Sequence, residues 1–180
     1  MNIIDNFNLL PDKAILEATI RGHPLCENLC SIINNLIIEL SADPTEKINL
    51  DPGTQNVTLY IFKETPSKRN YEFILYHEFS HIADKLNPDF KYSDEKWNSL
   101  TERKQRGVQT LWNCFINARL YERNLFQIIH INAHLGEYMD FLESLGVNNA
   151  QQRIEEIWYH PSHFLSLEDM IAIFRSNSWD

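Results

Sequence analysis

Apolar residues recur at helical spacing between Tyr71 and Leu86. Leu75, Phe79, Ile82 and Leu86 fall at positions i, i+4, i+7 and i+11, so they form one stripe along a helix. The segment contains neither glycine nor proline, the two residues that most often interrupt a helix. We therefore predict a largely buried helix that ends near Leu86, because the Asn-Pro pair that follows continues a helix poorly.

The pattern upstream of this helix predicts a small sheet and further helices. Residues 57–63 (VTLYIFK) are rich in β-branched and aromatic residues and contain no breaker, which is typical of a strand. Residues 47–49 are expected to form a shorter strand and 51–54 (DPGT) a turn. Leucines and isoleucines within 25–40 recur at helical spacing and predict a helix there. Residues 1–10 are expected to form an irregular or short helical arm.

Capping and breaking residues set the expected ends of the other helices. Pro11 and Asp12 are expected to open a helix that stops near Gly22, and Thr65 with Pro66 to open the helix that ends at Leu86. Further helices are expected over 100–126, 131–145, 151–159 and 166–175, with capping boxes at 99–102 and 166–169.

These elements predict an α+β fold that is mainly helical, with a small sheet before the 71–86 helix. A chain of 180 residues suits a single domain. Within it, 1–98 would hold the sheet and the central helix, and 99–180 would be helical.

The predicted central helix carries the sequence His77-Glu78-Phe79-Ser80-His81, which matches the H-E-x-x-H pattern. Histidines four residues apart lie one turn apart on one helix face, where both imidazoles reach a single cation. A catalytic zinc ion takes three protein ligands and a water whose pKa it lowers to about 7. Glu78 would accept the proton of that water. The alternative is a hydrogen-bonded histidine pair on an ordinary buried helix.

The segment HEFSH, followed by Asp84, resembles the zincin metallopeptidases, and within them the small gluzincin-like or aspzincin-like members. Residues 112–120 (WNCFINARL) resemble a second signature found downstream in such proteins. The resemblance implies a zincin-like fold, one Zn²⁺ per chain and a peptide or protein substrate. It also implies that the 57–63 strand lies at a sheet edge, where a substrate strand can pair with it. The chain departs from the signature at Asn117, which occupies a position where the signature carries an acidic residue.

The third zinc ligand is expected on the helix that contains 112–120. Glu122 is one candidate, since it falls on an apolar stripe and is expected to point inward. Asn117 is another, by resemblance, although a neutral amide is a poor zinc ligand, and a different residue or a water molecule is the third possibility. Asn113, one turn earlier, is expected to help orient the site. Asp84 would either orient a ligand histidine or be a solvated charge at the end of its helix.

Two other groups of polar residues remain candidates for function. In zincins a downstream Tyr or His stabilises the oxyanion of the reaction, and Tyr159, His160 and His163 are candidates for that role. His130 and His134 form a second pair at i, i+4, for which we expect an ordinary structural or exposed role.

Net charge and cysteine content limit the expected binding partners and the expected cellular compartment. A net charge of -9 argues against a nucleic-acid partner and against an anionic membrane surface. No apolar run approaches the roughly 20 residues of a membrane span, and no signal peptide is evident. Three cysteines without a secretion signal predict reduced thiols in the cytoplasm, with Cys26 and Cys30 buried rather than metal-binding.

The residues by themselves predict a hydrolytic zinc site, and the resemblance adds peptide bonds as the substrate. We therefore expect a zinc-dependent metallopeptidase in which His77 and His81 bind the metal and Glu78 is the general base. The alternative is a catalytically weak zincin-like binding or regulatory protein that keeps the metal site or only the fold. The departure at Asn117 favours that alternative.

Overall fold

The computed structural model of this chain describes residues 1–10, 13–25, 29–67, 70–125, 128, 130–163 and 165–175. The fold is α+β and mainly helical, as predicted. The chain forms two compact units, Met1–Asp84 and Lys85–Asp180. The division falls in the last turn of the helix that carries HEFSH, whereas the sequence placed the start of the helical part at residue 99.

The first unit is built on a four-stranded sheet. Its strands are β1 (Asn2–Asp5), β2 (Asn35–Leu40), β3 (Lys47–Asp51) and β4 (Asn56–Ile61), in the order β1-β2-β4-β3. β1, β2 and β4 run parallel, and β3 is antiparallel to β4. Side chains alternate along each strand, so one face is apolar and buried. The buried residues of this face include Leu36, Ile38, Val57, Leu59 and Ile61.

Helices complete the first unit. α1 (Lys13–Arg21) and α2 (Leu29–Ile32) lie between β1 and β2 in sequence. A short 3-10 helix at Thr65–Ser67 precedes α3 (Tyr71–Leu86). On α3 the predicted stripe is confirmed, since Leu75, Phe79 and Ile82 are fully or almost fully buried. The helix also ends at the predicted residue.

The second unit is helical in its described part. A 3-10 helix at Pro88–Phe90 is followed by α4 (Asp94–Asn98), α5 (Glu102–Glu122), α6 (Ile131–Ser144), α7 (Ala150–Tyr159) and α8 (Leu167–Arg175). α5 is central, because it contacts α6, α7 and α8. The three helices after α5 match the predicted ranges closely, and Ser166 caps α8 by accepting the backbone N–H of Asp169, as the capping box predicted.

The helix predicted over 25–40 is wrong over Asn35–Leu40, which forms β2, and among the described residues of that range only Leu29–Ile32 is helical. Leu36 and Ile38 are buried and their neighbours less so, which is the period of a strand, and β2 pairs with β1 and β4. The arm predicted for residues 1–10 is also wrong in part, because Asn2–Asp5 forms β1. Both errors have one cause: β1 and β2 stabilise each other through backbone hydrogen bonds that helical spacing alone does not reveal. Pro11, Asp12 and Cys26 lie outside the described residues.

The helix starts predicted from caps are partly wrong. Thr65 and Pro66 open the short 3-10 helix, while α3 begins at Tyr71. The capping box at 99–102 is not formed: Ser99 ends α4, and Thr101 caps α5 by accepting the backbone N–H of Lys104. Gly107 does not interrupt α5, which continues to Glu122.

The strand predicted at 57–63 is confirmed as β4, but it does not lie at an edge. β2 pairs with it on one side and β3 on the other, so its backbone is already engaged along both sides. The edge strands of this sheet are β1 and β3. A substrate strand cannot pair with β4 as the resemblance implied.

None of the helices in the described ranges is both long and apolar enough to cross a membrane.

Tyr71, the first residue of α3, carries a buried hydroxyl that has no hydrogen-bond partner among the described residues. Burial and the nearby negative charge of Asp5 raise the pKa of this phenol to about 12. A buried polar group that lacks a partner costs free energy. We therefore expect Tyr71→Phe to raise the free energy of unfolding by about 1 kcal/mol, as measured by urea denaturation.

Tyr121→Phe is the matched control for this substitution, because Tyr121 is 39% exposed. The control is expected to leave stability nearly unchanged. A loss of stability in Tyr71→Phe would contradict the prediction, since it would mean that the hydroxyl makes a favourable hydrogen bond.

Candidate metal centre

α3 places the residues of HEFSH on a buried helix. His81 is 7% exposed, and His77 and Glu78 are half-buried. The stripe that includes Leu75 and Phe79 faces the core and fixes the rotation of α3. His77 and His81 therefore lie beside the stripe, as the sequence predicted.

The two histidines lie side by side. Their ring centroids are 5.1 Å apart and the ring planes meet at 76°. An ion bound by two imidazole nitrogens at 2.0–2.1 Å each would hold the centroids roughly 5 Å apart. The spacing of His77 and His81 thus fits two ligands of one zinc ion. The ring of Phe73, one turn before His77, lies 6.0 Å from the His77 ring.

His23, which precedes Pro24 after α1, contacts α3 next to this pair. Its Nε2 lies 3.2 Å from the carbonyl oxygen of Tyr76, and its Nδ1 accepts the backbone N–H of Leu25. These contacts make Nε2 the donor and Nδ1 the acceptor. His23 is 1% exposed and anchors the backbone that immediately precedes His77. No local pattern predicts this role, because His23 and Tyr76 are 53 residues apart along the chain.

The carboxyl group of Glu78 has an unusual environment. Burial and the negative charge of Glu46 raise its pKa to about 8. Glu46, which precedes β3, accepts a hydrogen bond from the hydroxyl of buried Thr65. Near pH 7 such a carboxyl group is mostly protonated, and a bound cation would lower its pKa and leave it ionised to accept a proton.

Asp84, one turn after His81, is 2% exposed. The alternative that it is a solvated charge at the end of the helix is therefore wrong. Its role in orienting a ligand histidine stays a prediction.

In the second unit, Asn117 lies on the buried side of α5 with 5% exposure. Its Nδ2 donates a hydrogen bond of 2.7 Å to the hydroxyl of Tyr138 on α6, and lies 3.5 Å from Nε2 of His134. Burial lowers the pKa of His134, so its imidazole is neutral near pH 7. Asn117 thus belongs to a polar cluster within the helical unit. Asn113, one turn earlier, is half-buried and accepts a hydrogen bond from Gln109.

Glu122 lies at the end of α5 on its exposed side. Its side chain is 54% exposed and its carboxylate is 3.6 Å from Arg123. The inward orientation predicted from the apolar stripe is wrong, because in the last turn of α5 Arg119 and Leu120 are buried while Glu122 lies on the exposed side. That either Glu122 or Asn117 is a metal ligand stays a prediction.

The remaining candidates lie at the ends of helices in the second unit. Tyr159 is 58% exposed, and His160 ends α7. His130 precedes α6 and is not part of it, so it does not share a helix face with His134. The oxyanion role proposed for Tyr159, His160 or His163 stays a prediction.

Comparisons with protein-family models, with curated proteins and with solved structures gave no match. The zincin resemblance therefore rests on the residues of this chain alone.

The two imidazoles on α3 are the ligand type and spacing that zinc uses, and a carboxyl group suited to proton transfer follows the first of them. In the described part of the chain no three His, Cys, Asp or Glu side chains already converge on one point. The residues on α3 thus fit two of the three protein ligands that a catalytic zinc site uses.

Proposed function

We propose that this chain is a zinc-dependent metallopeptidase of zincin type, with His77 and His81 as metal ligands and Glu78 as general base. The observation that carries the proposal is the pair of imidazoles 5.1 Å apart on one face of α3, beside a carboxyl group of raised pKa. The α+β fold, with a sheet followed by the HEFSH helix, is compatible with a zincin.

Each residue has a definite role in this proposal. Zinc, when bound, lowers the pKa of a water molecule and stabilises negative charge on the substrate carbonyl. Glu78 accepts the proton of the attacking water and passes it to the leaving amine. His23 holds the backbone at Tyr76 and so positions His77. A third ligand from α5 remains part of the proposal, as does a peptide or protein substrate.

A cytoplasmic setting is part of the proposal, and two free cysteines among the described residues are compatible with it. Cys30 and Cys114 are both free, and Cys114 is buried, which raises the pKa of its thiol and makes it unreactive.

The metal is tested first. We expect about one zinc ion per chain in protein purified without added metal, and almost none in His77→Ala, as measured by mass spectrometry of the metal. His130→Ala is the matched control, because His130 is exposed and lies outside α3. The control should retain its zinc. Absence of zinc from the unmodified chain, even after reconstitution, would refute the proposal that the chain is a zinc enzyme.

The second candidate is a zincin-like binding or regulatory protein that keeps the metal site without efficient catalysis. It is favoured by Asn117, whose neutral amide donates to Tyr138 at the position where the resemblance expects an acid. Zinc content cannot separate the two candidates, whereas hydrolysis that depends on Glu78 can.

A further inference from the structure

The turn between α7 and α8 brings two histidines together in the second unit. His160 ends α7, Pro161 turns the chain, and the backbone N–H of His163 donates to the carbonyl oxygen of His160 at 2.9 Å. The two imidazole rings lie 5.5 Å apart between centroids, with 24° between their planes. Both side chains are exposed.

The spacing of this pair is close to that of His77 and His81, whose ring centroids are 5.1 Å apart. It is also close to the roughly 5 Å expected for two imidazoles on one ion. Pro161 restricts the backbone between the two histidines, whereas their exposed rings are not held in place. Because both side chains are exposed, small rotations that aim their nitrogens at one point cost little.

Oxygen donors lie beside the pair. Glu156 is one turn before His160 on α7, and Asp169 is in the first turn of α8. All four residues line one cavity of about 850 Å³. Glu156 is 52% exposed and paired with Arg153 at 3.3 Å, an exposed ion pair that is easily exchanged for another partner. Asp169 holds the start of α8 through Ser166, so it contributes negative charge rather than a ligand atom.

We propose that His160 and His163 form a second metal site, separate from α3, for a transition-metal ion such as Cu²⁺, Ni²⁺ or Zn²⁺. Imidazole nitrogen with one carboxylate oxygen favours these ions over Ca²⁺ and Mg²⁺. In this proposal the carboxylate of Glu156 turns toward the ion and becomes its oxygen ligand, and water molecules occupy the remaining coordination positions. With two histidines already paired, the site binds Cu²⁺ most tightly of the divalent series.

The proposal does not depend on peptidase activity or on the site on α3. Its test is a Cu²⁺ titration of the unmodified chain and of four variants, in which calorimetry and electron paramagnetic resonance measure the binding. We expect a copper signal that reports two coordinating nitrogens in the unmodified chain and in His77→Ala. The affinity should fall at least tenfold when His160 and His163 are both replaced by alanine in the His77→Ala background, where α3 no longer offers a second histidine pair.

Two further variants make the test specific. Glu156→Gln should weaken binding several-fold, while His130→Ala, which removes another exposed histidine, should leave it unchanged. The exposure of all these side chains keeps the variants folded, which circular dichroism verifies. Copper binding that is unchanged when His160 and His163 are both replaced in that background, or that is lost equally in His130→Ala, would overturn the proposal.

Discussion

Replacing Glu78 with glutamine is expected to lower peptide hydrolysis by roughly 100- to 10,000-fold, the usual contribution of a general base. Glutamine has nearly the same shape as glutamate but cannot accept the proton of the attacking water. The zinc content should stay unchanged, because the substitution leaves His77 and His81 in place. Hydrolysis is measured on a mixture of unstructured peptides, whose products are identified by mass spectrometry.

Glu72→Gln is the matched control for this experiment. Glu72 lies in the first turn of the same helix and is exposed, so the substitution removes the same charge from α3 at a distance from the histidines. Activity should be retained in the control. If the unmodified chain binds zinc and hydrolyses no peptide, the binding or regulatory candidate is favoured. If Glu78→Gln hydrolyses peptides as fast as the unmodified chain, Glu78 is not the base.

Replacing Gly107 with alanine is expected to lower the free energy of unfolding by about 1–3 kcal/mol, the cost of overpacking a core. Gly107 lies inside α5, and the ring of Phe174 on α8 packs directly against it. A Cβ atom at Gly107 would lie only 2.1 Å from Cζ of Phe174. Phe174 is 8% exposed, so its ring cannot turn into solvent without loss of buried area. Urea or thermal denaturation measures the effect.

Gly136→Ala provides a control of opposite sign. Gly136 lies inside α6, and a Cβ atom there would meet nothing within 4 Å. Alanine favours a helix over glycine by about 1 kcal/mol, so this variant should be more stable than the unmodified chain. Combining Gly107→Ala with Phe174→Leu should recover part of the loss, because the smaller side chain relieves the clash. Stabilisation by Gly107→Ala alone would contradict the close packing of α5 and α8.

The parts of the fold that depend on local sequence were predictable. α3 is an example, since Leu75, Phe79 and Ile82 repeat at helical spacing and the Asn-Pro pair ends the helix. The 25–40 segment shows the opposite case. Ile33, Leu36, Ile37 and Leu40 recur at helical spacing, yet Leu36 and Ile38 are the buried residues, because backbone pairing with β1 and β4 makes the segment a strand. The pairing involves residues distant along the chain, which periodicity cannot report.

The same difference between local and long-range information applies to the candidate site. His77, Glu78 and His81 were evident because their spacing is local to one helix. The partners of Asn117 were not, since Tyr138 and His134 come from another helix. The raised pKa of Glu78 was also hidden, because Glu46 acts on it through space. Local patterns were therefore enough to identify the candidate reactive groups. The environment of each group depends on the folded structure, so it could not be predicted from those patterns.

The strand order of the sheet also bears on how the first unit folds. β1 pairs with β2 from Asn2↔Asn35 onward. β2 pairs with β4, although β3 lies between these two strands in the sequence. Parallel partners distant in sequence form slowly, because closing the loop between them costs chain entropy before any pairing repays it. The β3–β4 hairpin closes over a short turn and can form early. During synthesis β1 would therefore wait unpaired until β2 had left the ribosome, and the parallel part of the sheet would assemble last.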